Sequence, residues 1–394
     1  DDFSAFYFTR DYLNPLSESL RDFHQNSGLH FRASVPRLSS LNYSAAGLYD
    51  STLIRPHEFA PWWAREPNDK LASVGRLLFY DPILSLNNQR ACGSCHDPAK
   101  GFSDGHRQAL GFDKQPTELR NTPTMLNAAL SRAYRYDLAA RFLDEQSPKV
   151  FQNHQEFRMT RDSLEKRLNQ SPGYLALFSE ALGKPVDKID VPLMNTALAE
   201  YIRTLVALNS PFDQMIRGEI EPDSNVVAGY DLFMGKAACG TCHFPPVFNG
   251  LVPPYFVENE SEIIGVPTED GVAELSPDLG RYNYMKAQAY RHAFKTTSVR
   301  NSALTMPYMH NGSFETLMDV VVFYNQGGGR GRGYEVPGQT LDAEPLALTQ
   351  NEMQALVSFM EALTDTTGHT SLPDTLPGFP RQTDWNDRPI GGVY

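Results

Sequence analysis

Long apolar runs are missing from this chain: no stretch of about 18 uninterrupted hydrophobic residues occurs, so no helical membrane span is expected. Positive charge is in short supply as well. Lys and Arg number 35 against 47 Asp and Glu, for a formal net charge of −12. No basic cluster interrupts that balance, which argues against nucleic acid and against an anionic membrane surface as partners. Proteins and small molecules remain, and a partner with a basic face would be steered toward this surface. The opening residues, Asp1-Asp2-Phe3-Ser4, lack a basic region followed by an apolar stretch, and read as the start of a processed chain whose export signal has been removed. Strand signals are sparse. Cysteine is scarce too, with four in 394 residues.

Those four cysteines fall in two pentapeptides of one pattern, Cys92-Gly-Ser-Cys95-His96 and Cys239-Gly-Thr-Cys242-His243. C-x-x-C-H is the attachment signature of a c-type haem, in which each thiol adds to a haem vinyl group and the adjacent histidine coordinates the iron. A zinc ion held by two C-x-x-C knuckles would need no histidine beside either one. A redox dithiol needs only one such pair, and two disulfides would not require the repeated histidine. The pattern therefore predicts two covalently bound c-type haems, with His96 and His243 as iron ligands. Thioether attachment is completed outside the bacterial cytoplasm, so a periplasmic location is expected.

The text around the motifs repeats. Leu71, Val74, Leu77 and Leu78 stand at helical spacing after the start signal Pro67-Asn68-Asp69, and Val226, Tyr230, Phe233 and Met234 do the same after Asp223-Ser224. Arg120-Asn121 is echoed by Arg300-Asn301. A repeat at this long period indicates a duplicated domain rather than a solenoid, whose units run to about 20–50 residues. The expected fold is mainly α, with two cytochrome c-like haem domains related by duplication, at 67–222 and 223–394, the second ending in a C-terminal tail. Residues 1–66, including Trp62-Trp63, read as an N-terminal extension. Further helices are expected from the stripe Leu193, Ala197, Tyr201, Ile202, Leu205 and from the capping box Thr349–Glu352 ahead of Leu356, Val357, Met360 and Leu363. The segments 249–282 and 327–346, rich in Gly, Pro and acids, are expected to be long loops.

In order along the chain come the first C-x-x-C-H, Arg120-Asn121-Thr122-Pro123 to Leu126-Asn127, Glu145-Gln146 to Asn153-His154-Gln155-Glu156, the second C-x-x-C-H, Phe294-Lys295 to Arg300-Asn301, and Pro307-Tyr308-Met309-His310-Asn311-Gly312. This succession, over roughly residues 65 to 365, resembles the bacterial dihaem cytochrome c peroxidase and MauG family. The resemblance implies a peroxidatic N-terminal haem and an electron-transfer C-terminal haem. It also implies a Ca²⁺ between the two, with Asn121 among its ligands, a role for which an amide oxygen is suited. It puts Gln146 and Glu156 in the distal pocket over the N-terminal haem, Gln146 orienting hydrogen peroxide and Glu156 moving its proton; Glu145 is the rival carboxylate. The family's inter-haem tryptophan falls at Tyr136, followed by Asp137.

Two departures matter. Peroxidases of the family carry a histidine shortly before the Arg-Asn pair, where it blocks the peroxidatic iron, whereas Leu110-Gly111-Phe112-Asp113-Lys114 contains none and His106 stands several residues too early. An open sixth position on the N-terminal haem is the expectation. The sixth ligand of the other haem is Met in the peroxidases and Tyr in MauG, and its slot here aligns with His292, with Met309, Met306 and Tyr290 as rivals. A His/His iron lies at lower potential than a His/Met one. His310 is expected to bond a propionate or the backbone.

The resulting expectation is a MauG-like enzyme, closer to that branch of the family, which takes peroxide at the open haem and oxidises residues of a partner protein through a high-valent dihaem state. The alternative is a cytochrome c peroxidase fed by a small cytochrome or cupredoxin, and the third reading is a non-catalytic dihaem electron carrier.

Overall fold

The computed structural model describes residues 3–28, 40–115, 120–367 and 371–393, so the stretch of the extension over 29–39 lies outside the described residues. Helices dominate. Regular strand among the described residues is confined to an antiparallel pair, Ser261–Glu262 against Phe294–Lys295. No described helix is long and apolar enough to cross a membrane.

The chain divides into two compact units, and neither is a contiguous stretch. One, carrying Cys92 and Cys95, consists of 59–129 and 140–206 with the C-terminal tail; the other, carrying Cys239 and Cys242, takes the chain up to 58, the segment 130–139 and 207–367. The ranges expected from the sequence, 1–66, 67–222 and 223–394, therefore cut across the packing. The reason is long-range burial that no periodicity reports.

The unit around the first motif is built on two crossed helices. Asp69–Phe79 starts at Asn68, whose side chain accepts the Leu71 N–H at 2.9 Å. It buries Leu71, Val74, Leu78 and Phe79. Its partner, Val191–Arg203, is capped by Asp190 and begins with Pro192 in its first turn, where a missing N–H costs nothing. They meet at Gly75, where a Cβ would stand 1.8 Å from the Ala197 carbonyl oxygen and 3.0 Å from Tyr201 Cβ. The tail completes this unit. Arg388 forms two bonds with the buried Asp81, Ser94 Oγ donates to the Gly391 carbonyl at 3.0 Å, and the Gly391 and Val393 N–H groups donate to Tyr80 and Gln89.

The second unit repeats the device. Ser224–Met234, capped by Asp223, crosses Gln350–Ala362, which opens on the Thr349–Glu352 capping box. Here a Cβ on Gly229 would lie 2.0 Å from the Ala355 carbonyl oxygen and 2.7 Å from Phe359 Cβ. Gly against Ala, with an aromatic residue one turn on, thus recurs in both halves. Around this crossing Phe212, Phe233, Phe248 and Phe359 pack edge to face, with centroids 4.9 Å apart for Phe212–Phe359 and 5.1 Å for Phe233–Phe359. Such pairs stabilise by about 0.5–1.5 kcal/mol beyond their buried area.

Parts of the extension before residue 59 belong to this core. Phe6 and Tyr49 are fully buried in it, Tyr49 Oη lies 2.9 Å from Tyr230 Oη, and Asn14 Nδ2 donates to the Ile216 carbonyl at 2.8 Å. Arg300, also buried, pairs with both oxygens of Asp213 at 2.8 and 2.7 Å. The segment 249–282 is irregular apart from the strand Ser261–Glu262 and ends at the Tyr282–Met285 turn of helix, and 327–346 contains only the short helix Gly328–Gly331.

Candidate haem centres

Each C-x-x-C-H sits at the end of one of these helix crossings. Cys92–Cys95 forms a single helical turn closed by the His96 N–H bonding to the Cys92 carbonyl. Gly93 lies against the ring of Tyr80, so close that a Cβ would fall 2.5 Å from it. His96 follows with Nδ1 at 3.1 Å from the Phe102 carbonyl oxygen. In the second unit Cys239–Thr241 is a 3₁₀ turn, and His243 Nδ1 lies 3.0 Å from the Thr297 carbonyl and 3.3 Å from that of Phe248.

A carbonyl only accepts, so Nδ1 must carry the proton in both rings and Nε2 presents its lone pair. Orientation of a metal-binding imidazole by a backbone carbonyl is the usual arrangement in haem and zinc sites. Burial lowers the pKa of both rings, against the opposing pull of those carbonyls, and favours the neutral form that coordinates a metal. None of the four cysteines is paired in a disulfide. Before haem attachment, burial, the leading cause, pushes the Cys92 and Cys239 thiols up to about 12. Paired thiols with a neutral imidazole beside them fit a c-type haem in each unit.

In the first unit, Gln146 and Glu156 flank the short helix Ser147–Gln152. Gln146 is half-buried, and its Oε1 is enclosed without a hydrogen-bond partner among the described residues. Glu156 Oε2 accepts from Asn153 Nδ2 at 2.8 Å. Its charge contributes to raising the Cys92 pKa, which places the carboxylate within electrostatic reach of the haem attachment point. Glu145, the rival, is exposed.

The loop 110–115 is bound to this same segment. Arg158 pairs with Asp113 at 2.8 Å and lies 4.2 Å over the Phe112 ring, while the Gly111 N–H donates to the Gln115 carbonyl. Arg90 bridges from the Cys95 sulfur at 3.1 Å to the Leu110 carbonyl, and with Phe112, Lys114 and Val393 it lines an open recess. The backbone of His106 is held by Asp104 Oδ1 and by Asn121 Nδ2, the latter at 2.9 Å. Asn121 is itself buried.

In the second unit, Tyr136 lies on the segment 130–139, where its carbonyl accepts the Lys295 N–H at 2.8 Å. Lys295 Nζ secures the same segment through Ser131 Oγ and the Ala133 carbonyl. His292, three residues earlier, is half-buried with φ +62° and Nδ1 2.9 Å from the Asp278 carbonyl. It thereby repeats the arrangement of His96 and His243. Met306 is half-exposed, Tyr290 sits under the Arg281 guanidinium at 4.1 Å, and Met309 is half-buried with φ +72°. His310 stacks on Phe294 at 3.7 Å and its Nε2 is 3.0 Å from Ser276 Oγ.

The residues from 69 to 221 match the family model of the di-haem cytochrome c peroxidases. Cytochrome-c peroxidase IdrP2 of Denitromonas iodatirespirans is 34% identical over 340 residues, spanning 81% of this chain and 88% of that protein. The chain belongs to the dihaem cytochrome c peroxidase and MauG family. Methylamine utilization protein MauG of Methylorubrum extorquens is 33% identical over 304 residues, or 76% of this chain and 80% of that one. The crystal structure of a MauG-like protein associated with microbial copper homeostasis shares the fold, with a TM-score of 0.67 at 24% identity over 78% of this chain and 92% of that one. Membership makes the protein a haem-dependent oxidoreductase with two haems.

Some members of the site gave no signal in the sequence. The carbonyls of Phe102, Thr297 and Asp278 orient imidazoles through backbone atoms that every residue carries. Tyr324, on the helix Leu317–Asn325, is close enough to Cys239 and Cys242 for their charges to add to burial in raising its pKa. Cys242, Glu260 and Glu262 bring ligand-type atoms within 4.8 Å of one another. Thioether formation at Cys242 removes the thiolate from that set.

Proposed function

We propose that this protein reduces hydrogen peroxide at an open N-terminal haem and draws the electrons from residues of a partner protein, as a MauG-like enzyme. The observation that carries this reading is the loop 110–115. Its place is where peroxidases of the family hold a blocking histidine, and here it offers Phe112 and is tied down by Arg158. Bound at His96, a c-type haem supplies the redox-active iron for the reaction.

The chain's own groups do the rest. Gln146 Oε1 accepts a hydrogen bond from peroxide and orients it. Glu156, fixed by Asn153, takes a proton from one oxygen and returns it to the other, so that one H₂O₂ with two protons and two electrons leaves as two waters. Tyr136 relays electrons; a phenol surrenders its proton with the electron, because its ordinary pKa is about 10. His292 would hold the second iron as a further ligand through its free Nε2, and Asn121 would contribute an amide oxygen to a Ca²⁺ site. A periplasmic location follows from the covalent haems.

The peroxidase-named relative at 34% identity favours a second reading, peroxide removal with electrons from a small cytochrome or cupredoxin. Incubation with peroxide and candidate partner proteins separates the two. New oxidative mass changes on a partner, with slow turnover of reduced cytochrome, support the first; fast cytochrome turnover without such changes replaces it with the second. Two low-spin haems inert to peroxide would leave only an electron carrier.

For the ligand, His292→Ala is expected to convert one low-spin ferric haem to high spin in the electron paramagnetic resonance spectrum. An unchanged low-spin signal would transfer the role to Met309 or another rival.

A further inference from the structure

The first unit holds a group of buried tyrosines behind the haem attachment turn that the proposed reaction does not use. The Tyr80 ring packs on Gly93, between the two thioether positions, and its Oη lies 3.3 Å from that of Tyr201. Phe79 bridges toward the iron ligand, with centroids 6.3 Å from His96 and 5.2 Å from Tyr201. The residue after Tyr80 is Asp81, fully buried, whose Oδ2 accepts the hydroxyl of Tyr174 at 2.6 Å. Tyr174 is itself fully buried on the helix Pro172–Leu182, and Arg388 holds both oxygens of Asp81.

We propose that Tyr174 is a redox-active tyrosine that donates an electron to the oxidised first haem while its phenolic proton passes to Asp81. Three features support this. A buried phenol is oxidised readily only if its proton has somewhere to go, since the radical cation is a strong acid and a low-dielectric interior disfavours the separated charge. Tyr174 has a carboxylate, a stronger base than another hydroxyl, at short hydrogen-bond distance. In the resting protein, burial and then the Asp81 charge hold the Tyr174 phenol well above its ordinary pKa, so the proton is present to be transferred. Finally, a short route connects the two ends: from Tyr174 Oη across the hydrogen bond to Asp81, along the backbone to Tyr80, and from its ring to Gly93.

The step balances. Tyr174 loses one electron and its O–H bond breaks, giving a neutral tyrosyl radical and a protonated Asp81 that stays bonded to Arg388. That electron is one of the two consumed when one H₂O₂ becomes two waters; the partner protein or the second haem provides the other. Tyr174 then stores an oxidising equivalent inside the protein, to be refilled by an electron from the donor.

The inference rests on the peroxide reaction proposed above, and one experiment distinguishes their failures. Holoprotein mixed with peroxide and freeze-quenched is expected to show a tyrosyl signal in its electron paramagnetic resonance spectrum, narrowed when the protein is grown with ring-deuterated tyrosine. Tyr174→Phe, with haem absorbance and circular dichroism unchanged, abolishes it, whereas Tyr80→Phe and Tyr201→Phe keep it. Persistence of the signal in Tyr174→Phe, or its loss in either of the other two, overturns the assignment. A haem spectrum that responds to peroxide without any tyrosyl signal overturns this inference alone, and a haem spectrum that does not respond overturns the peroxide reaction and this inference with it.

Discussion

Replacing Glu156 by glutamine should slow the reaction of the resting protein with hydrogen peroxide by about 10²–10⁴, the range that a positioned proton-transfer group contributes. The substitution keeps shape and hydrogen bonding to Asn153 while removing the basic oxygen that receives the peroxide proton. Peroxide itself is a weak acid, and heterolysis of its O–O bond needs the proton moved from the near oxygen to the departing one. Gln146 can orient but cannot make that transfer, because an amide neither accepts nor donates a proton at neutral pH. Stopped-flow measurement of the haem absorbance change reads the rate directly. Glu145→Gln, at an exposed site, is the matched comparison and should leave the rate as it is. Equal rates for Glu156→Gln and the unaltered protein would remove Glu156 from the chemistry.

Gly75→Ala and Gly229→Ala should each destabilise the fold by about 3 kcal/mol or more, among the largest effects open to a single added methyl group. At 1.8 and 2.0 Å from a carbonyl oxygen, the new Cβ overlaps backbone rather than a movable side chain. The helices must separate, and the residues stacked one turn away, Tyr201 and Phe359, lose their seats. Because each crossing supports its own C-x-x-C-H turn, local loosening should also show in the ligand-field spectrum of the corresponding haem. Thermal denaturation of the two variants, followed by the two haem signals, checks both points; wild-type midpoints would refute the close approach.

Much of this architecture is legible in the residues. Asn68, Asp223 and Thr349 announce helix starts because a cap is a local device, and each does so in the structure. The haem motifs are legible because thioether chemistry requires fixed neighbours. Gly75 and Gly229 were hidden among apolar neighbours, since an approach between two helices leaves no mark on the spacing within either. Likewise Phe6 and Tyr49 read in the sequence as part of an N-terminal extension; only the aromatic cluster around Phe212 shows that they belong to the second unit. The loop 110–115 could be read for what it lacks, but not for its attachment to Arg158, which depends on how two turns fold toward each other.

The bonds from Arg388, Gly391 and Val393 to Asp81, Ser94, Tyr80 and Gln89 set an order on assembly. A ribosome makes Cys92 and Cys95 nearly three hundred residues before Arg388. The pocket for the earlier porphyrin therefore stays unfinished until those later residues have been made, leaving its thiols reachable by the attachment machinery in a chain that has not yet closed over them.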